Sequence, residues 1–213
     1  MSAIHVRGRP SDHAFFASLD RTASQVVLAL TLFALSPLSH AGMEEGRQKA
    51  QVCAACHGAD GNSTIPAIPS IAGQPKQFIV TALFMFREGR RKNDAMIPFV
   101  EKLSNPDLND LALFFSSQKM NATTRTTPPE RVPLGKAITE KNNCVACHTA
   151  TLTGQQHIPR LAGQHIDYLR DQLKNFKAST RADMDGTMTS AAQGLTPDDI
   201  EILADYLSGL GAP

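Results

Sequence analysis

The pentapeptide Cys53-Ala54-Ala55-Cys56-His57 recurs later in the chain as Cys144-Val145-Ala146-Cys147-His148, so both stretches have the pattern C-x-x-C-H. This pattern is typical of c-type haem attachment, in which two thiols form thioethers and the adjacent histidine ligates the iron. The chain contains four cysteines, and the two motifs use all of them. The sequence therefore predicts two covalently bound haem c groups. Their expected ligands are Cys53, Cys56, Cys144 and Cys147 as thioethers, and His57 and His148 on the iron atoms.

Two other kinds of site also use C-x-x-C pairs. A zinc ion held by four thiolates would need both pairs, and a redox dithiol would need one. Neither site requires a histidine directly after the second cysteine, whereas haem attachment does. The recurrence of that histidine in both copies favours haem.

The first 41 residues have the features of a secretory signal peptide. Arg7 and Arg9 precede an apolar run at 26–35, and Ser39-His40-Ala41 resembles a signal-peptidase cleavage site. A bilayer-spanning helix needs about 20 apolar residues, so the short run argues against the alternative, an uncleaved membrane anchor. We expect cleavage after Ala41 and export to the periplasm, because bacteria attach c-type haem outside the cytoplasm. The mature chain is expected to have no spanning segment, which leaves peripheral association as its mode of contact with a membrane.

The two halves of the chain repeat each other beyond the haem motifs. The segment IPSIAGQ at 68–74 matches IPRLAGQ at 158–164, at an offset of 90 residues. A polar, proline-rich stretch at 121–133 lacks apolar periodicity and separates the halves. The sequence thus predicts a signal peptide at 1–41, an N-terminal domain at 42–120, a linker at 121–133 and a C-terminal domain at 134–213.

Both halves have the periodicity of α-helices. Apolar residues recur at steps of three and four along 78–86 and 166–176. The last helix of each half has a clear start, at Ser104 or Asn105 in the first half and at Thr196 in the second. The predicted fold is therefore all-α, with two tandem helical domains that each enclose one haem. Short helices are also expected before the haem motifs, at about 44–51 and 134–141.

A methionine is expected as the sixth iron ligand, because a thioether is a common partner of histidine in electron-transfer haems. When the repeat is registered at an offset of 92, Met96 aligns with Met188. Both lie seven positions before a leucine that leads into the last helix of their half. We predict these two methionines as iron ligands, with Met184, His157 and His165 as the alternatives in the second half.

Residues around the ligands can also be predicted. A ligating histidine normally donates its second ring N–H to a carbonyl, which fixes its orientation. Pro69 and Pro159 follow the two histidines at similar distances and are the expected acceptors, with Pro66 as an alternative in the first half. Arg91 and Arg181 occupy matching positions and are candidates to bind haem propionates, the alternative being two solvated surface arginines.

The charge balance argues against one class of partner. The chain has 21 basic and 20 acidic side chains and a net charge of +1. Domains that bind nucleic acid carry a marked excess of positive charge. We therefore expect no nucleic-acid partner.

These motifs resemble the dihaem cytochrome c4 family, whose members have two class I cytochrome c domains. The likeness extends over 42–213 and rests on segments that follow each haem motif: Ile-Pro-x-hydrophobic-Ala-Gly-Gln, then 86–91, then the methionine with its Leu-Ser or Leu-Thr. The second half differs from the first at Ser179, which stands where the first half has Gly89. Its ligand loop is also two residues longer.

The resemblance implies two His/Met haems that face each other in a periplasmic electron carrier. We expect it to shuttle electrons between respiratory-chain components, one per haem, with a quinol-oxidising complex and a terminal oxidase or reductase as redox partners. Two closed coordination spheres leave no iron site for a substrate, so no catalytic residue is expected. The alternatives are a haem subunit of a larger enzyme and a small dihaem oxidoreductase of the thiosulfate dehydrogenase or peroxidase kind.

Overall fold

The computed structural model describes the backbone of residues 37–211 and the side chains from Gly42 onward. The predicted signal peptide therefore lies outside the described residues except for its last five. Within 37–211 the regular elements are helices, and the β-structure is limited to one isolated bridge between Gln155 and Ile158. The prediction of an all-α fold is confirmed for this part of the chain.

From Pro37 onward, the described part of the N-terminal half contains five α-helices and one 3-10 helix. The short helices carry the first haem motif and the segment after Met96, and the two longest of the later helices, α3 and α5, pack against each other. The elements are α1 (Pro37–Lys49), the 3-10 helix (Ala50–Cys53), α2 (Ala54–His57), α3 (Lys76–Arg87), α4 (Ile97–Val100) and α5 (Asn105–Ser117).

The C-terminal half repeats this order. Its last helix, α10, packs against both α6 and α8. The elements are α6 (Arg131–Lys141), α7 (Cys144–His148), α8 (Ile166–Lys177), α9 (Thr187–Gln193) and α10 (Pro197–Gly209). The helix before the second motif begins three residues earlier than the predicted start at 134, so 131–133 belong to α6 rather than to an extended linker.

Local hydrogen bonds explain where the last helix of each half begins. The Ser104 hydroxyl accepts from the backbone N–H of Asp107, and the Asp107 carboxylate accepts from the backbone N–H of Ser104 at 2.7 Å. Thr196 and Asp199 form the same reciprocal pair at the start of α10. Each pair satisfies two of the N–H groups that a helix leaves unpaired at its start. Ser104, rather than Asn105, is therefore the cap of α5.

Each half has its own hydrophobic core. In the N-terminal half it is formed by buried residues of the 3-10 helix, α3 and α5, which are Ala50, Ile79, Leu111, Ala112, Phe114 and Phe115. In the C-terminal half α8 and α10 contribute most of it, together with Leu152, Ala162, Ala192 and Leu195. Both cores are small, as expected for domains that complete their apolar interior with a haem.

The segment between the halves is irregular but lies against α10. The Thr127 hydroxyl donates to the backbone carbonyl of Asp205 at 2.9 Å, and the Thr123 hydroxyl donates to that of Ser208 at 3.1 Å. Arg125 and Arg131 both pair with the buried carboxylate of Asp205. These contacts fix the segment to the C-terminal half, so it is not a free tether.

In each half, the first helix contacts the last helix at a glycine. A Cβ atom at Gly46 would lie 2.1 Å from the carbonyl oxygen of Asp110, and a Cβ atom at Gly135 would lie 2.3 Å from Cβ of Tyr206. Such distances are far inside van der Waals contact and involve atoms close to the backbone. The first helix can therefore approach the last one only where it has no side chain.

We expect Gly135→Ala to destabilise the C-terminal domain by about 1–3 kcal/mol, the usual cost of forcing extra volume into a packed interface. Denaturant unfolding of the haem-loaded protein measures this. Gly211→Ala is the matched control, because a Cβ there meets nothing within 4 Å. Equal stability of the two variants would show that α6 and α10 are not in close contact.

Candidate haem sites

The local backbone places the two thiols of each motif on one side of a helical turn. Cys53 ends the 3-10 helix and Cys56 lies in α2, while Cys144 and Cys147 lie in α7. Residues three apart in a helix are neighbours on its surface. All four thiols are free, so none is used in a disulfide. Each motif can therefore offer two neighbouring sulfurs to one ligand.

The two motif histidines are buried and have the same orientation. Nδ1 of His57 lies 2.9 Å from the carbonyl oxygen of Pro69, and Nδ1 of His148 lies 2.8 Å from that of Pro159. Burial lowers the pKa of both imidazoles, an effect that outweighs the opposing hydrogen bond to the carbonyl. A low pKa keeps the ring neutral, and the carbonyl holds the proton on Nδ1. Nε2 is then the nitrogen with a free lone pair for iron.

The structure argues against a redox dithiol and against a zinc site, the two alternative interpretations of the C-x-x-C pairs. Burial raises the pKa of Cys53 to about 11 and also raises the pKa of Cys144. A redox dithiol needs the opposite, a thiol with a depressed pKa. Among the described residues, no group of three or more His, Cys, Asp or Glu side chains could hold a metal ion, so the two pairs do not form one zinc site.

The backbone N–H of each methionine predicted as a ligand donates to a side chain that precedes it in the chain. The backbone N–H of Met96 donates to the side-chain oxygen of Asn93 at 3.2 Å, and that of Met188 donates to the carboxylate of Asp183 at 2.8 Å. Both methionines are half-buried, and Met188 packs against the C-terminal core. Met184 is 49% exposed and is not part of that core.

The alternative histidines occupy other surroundings. His157 is exposed. Nε2 of His165 lies 2.9 Å from the carbonyl oxygen of Ser63, so it makes a contact between the two halves. Nε2 of His165 is therefore engaged in a contact between the halves, whereas a ligand to iron would need that nitrogen free.

Arg91 and Arg181 come from different halves, and both contact the side-chain amide of Gln172. Each donates to the side-chain oxygen of Gln172, Arg91 at 3.2 Å and Arg181 at 2.6 Å, and Arg91 also donates to the Tyr168 hydroxyl at 3.1 Å. Their guanidinium groups stack on Phe86 and Phe176 respectively. They are not solvated surface arginines. The contacts of Tyr168 and Gln172 with these arginines have no local sequence signal, because they depend on how the halves pack.

The region around these arginines has an excess of positive charge. Burial acts to raise the pKa of Tyr168, but the charges of Arg91 and Arg181 outweigh it and lower that pKa to about 8. The buried Nε of Arg181 has no hydrogen-bond partner among the described residues. Unpaired buried polar groups are rare. An anionic group such as a haem propionate therefore fits this region, and the buried histidines and free thiols fit the rest of a haem.

Comparison with known proteins identifies the family. Residues 132–211 match the family model described as cytochrome c, and residues 43–115 match the one described as cytochrome c oxidase, cbb3-type, subunit III. Cytochrome c4 of Pseudomonas aeruginosa is 36% identical over 198 residues, which cover 87% of this chain and 97% of that protein. The chain belongs to the cytochrome c4 family.

A solved cytochrome c4 and a relative with another name extend the comparison. The crystal structure of reduced cytochrome c4 from Pseudomonas stutzeri superposes with a TM-score of 0.73 at 32% identity, covering 79% of this chain and 98% of that one. A thiosulfate dehydrogenase electron acceptor from Thiomonas intermedia is 28% identical and covers 86% of this chain and 90% of that protein. The prediction of two cytochrome c-like domains is confirmed.

Membership of the cytochrome c4 family confirms the predicted cofactors, two covalently bound haem c groups. The chain is a dihaem c-type cytochrome of electron transfer, and its partners are redox proteins. Within the described residues, no helix has the length and apolar character needed to cross a membrane.

Proposed function

We propose that this cytochrome c4 is a periplasmic electron carrier that holds one electron at each of two His/Met-ligated haems. The observation that carries the proposal is that both halves repeat the same arrangement of histidine and methionine. Each half has a buried histidine with its Nδ1 bound to a proline carbonyl and a half-buried methionine on a side-chain-anchored turn. Haem would supply the redox chemistry, and these side chains would hold its iron.

Within this proposal the ligands are His57 with Met96 and His148 with Met188. Met188 is favoured over Met184 because it packs on the core, where a haem face would lie, whereas Met184 is half exposed. Pro69 and Pro159 fix the histidines. No step of the function needs an acid or base beside the iron, since electrons enter and leave without proton transfer at a substrate.

Arg91 and Arg181 are proposed to face the haem propionates. The support is the local excess of positive charge and the unpaired Nε of Arg181. The two arginines come from different halves, and both contact Gln172. Their charges would stabilise the propionates and favour the reduced form of a nearby haem, because reduction removes one positive charge from the iron.

Arg181→Met is expected to lower the reduction potential of the haem in the C-terminal domain and to raise the pKa of Tyr168 relative to the wild type. Both effects follow from the loss of one nearby positive charge. Potentiometry and a tyrosine titration measure them. Arg90→Met is the matched control, since Arg90 is exposed. Identical results for the two variants would contradict a role of Arg181 at the haem.

Export and partners complete the proposal. The residues up to Ala41 are proposed to be removed as a signal peptide, which places the mature protein in the periplasm. Its partners are proposed to be a quinol-oxidising complex and a terminal oxidase or reductase. The relative from Thiomonas intermedia supports a second candidate, in which this chain accepts electrons from a thiosulfate dehydrogenase.

The test of the carrier function is the reaction of the reduced protein with carbon monoxide and of the oxidised protein with peroxide. We expect neither to bind, and we expect a reductive titration to take up two electrons per chain. Binding of either molecule at one haem would show an open iron and would favour the enzyme alternative, a small dihaem oxidoreductase.

A further inference from the structure

The two halves are joined by two buried glutamines that occupy matching positions of the repeat. Gln74 and Gln164 are each 3% exposed. The side-chain oxygen of Gln164 accepts from the backbone N–H of Ser70 at 2.9 Å, and its Nε2 donates to the carbonyl of Ser70 at 2.8 Å. Gln74 makes the same pair of bonds to the backbone of Arg160, at 2.9 and 3.1 Å. Each glutamine thus binds the backbone of the opposite domain through both the oxygen and the nitrogen of its side-chain amide.

The peptide groups that these glutamines bind are the ones that hold the ligating histidines. The carbonyl of Pro69 and the N–H of Ser70 belong to one peptide group, so that group accepts from His57 and donates to Gln164. The other domain has the same geometry. The peptide group that joins Pro159 and Arg160 accepts from His148 through its carbonyl and donates to Gln74 through its N–H. The hydrogen-bond chain from each histidine therefore ends on a side chain of the other domain.

Such chains are cooperative. A peptide N–H that donates a hydrogen bond makes the carbonyl of the same group a stronger acceptor. A stronger acceptor draws the Nδ1 proton of the histidine more firmly and makes the ring a better electron donor to iron. A better donor stabilises the oxidised iron and lowers its potential.

We propose that Gln164 is a positioning residue for His57 and Gln74 a positioning residue for His148, so that each haem is tuned by a residue of the opposite domain. The inference rests on the proposed function in one respect, that the two histidines ligate iron. It assigns the glutamines a role that a merely structural contact would not give them, because their effect is crossed between domains.

The experiment uses the full haem-loaded chain with Gln164→Met and Gln74→Met, which keep the side-chain length and remove the amide. Proton NMR of the reduced protein gives the Nδ1–H shift of each histidine, and potentiometry gives the potential of each haem. We expect Gln164→Met to move the His57 signal upfield and to raise the potential of the haem at His57. Gln74→Met should do the same to His148.

His165→Ala is the control for a loosened interface. The His165 ring contacts the carbonyl of Ser63 at 2.9 Å and the hydroxyl of Ser70 at 3.5 Å across the domains, but it contacts neither of the peptide groups that bind the two histidines. It should leave both Nδ1–H signals in place. Gln164→Glu replaces the amide oxygen that accepts from the Ser70 N–H with a carboxylate, a stronger acceptor, and should therefore move the His57 signal downfield. This variant carries the test where Gln164→Met fails to fold.

The outcomes separate the inference from the proposed function. A shift in the variant's own domain, equal shifts in both domains, no shift, or the same shifts with His165→Ala would overturn the crossed assignment. A wild-type spectrum without two Nδ1–H signals from iron-bound histidines would instead overturn the proposed ligation.

Discussion

Met188→Ala is expected to convert the haem of the C-terminal domain to a high-spin or misligated form and to leave the other haem unchanged. In the proposed ligation, the substitution removes the thioether that closes the iron coordination. The potential of that haem should fall, because methionine ligation favours the reduced iron. Optical and EPR spectra of the oxidised protein, together with carbon monoxide binding by the reduced protein, measure the change.

Met184→Ala is the matched control, since the same side chain is lost four residues earlier in the same loop. We expect its spectra to equal those of the wild type, because Met184 is 49% exposed and lies outside the core. If Met184→Ala abolished the low-spin signal and Met188→Ala did not, the registration of the two repeats would be wrong.

The double substitution of Cys53 and Cys56 by alanine is expected to give a chain with one haem, bound in the C-terminal domain. The N-terminal domain should then lose its cooperative unfolding transition. Its core of buried residues is small, and a haem supplies the apolar area that a domain of this size lacks. Haem absorbance per chain and denaturant unfolding measure the two effects.

The reciprocal variant, Cys144 and Cys147 to alanine, serves as the comparison. It should keep the haem at His57 and destabilise the C-terminal domain. Two haems in either double variant would contradict thioether attachment by these motifs. An N-terminal domain that unfolds cooperatively without haem would contradict the dependence of the fold on its cofactor.

The helices at the end of each half could be predicted from sequence because their determinants are local. Ser104 and Asp107 are three residues apart, and their reciprocal hydrogen bonds form as soon as the helix does. Thr196 and Asp199 repeat this pattern. The haem attachment motifs were equally evident, because the spacing of cysteine and histidine within one helical turn carries the chemistry.

Contacts between the halves could not be predicted, since they depend on packing between residues far apart in sequence. Gln74 and Gln164 were visible as matching positions of a repeat, but nothing local indicates that each binds the other domain. The sequence around Asp205 likewise does not indicate that its carboxylate pairs with Arg125 and Arg131.

The second methionine ligand shows a limit of repeat registration. Two methionines lie in the longer loop, and an insertion of two residues allows more than one alignment. The structure adds a physical distinction between them, the burial of Met188 against the exposure of Met184.

EPR and near-infrared magnetic circular dichroism of the fully oxidised protein identify the axial ligands of each haem iron. We predict two low-spin ferric haems in equal amounts, each with one histidine and one methionine ligand. A high-spin signal, or a haem with two nitrogen ligands, would contradict the assignment of this chain as a carrier with two closed His/Met sites.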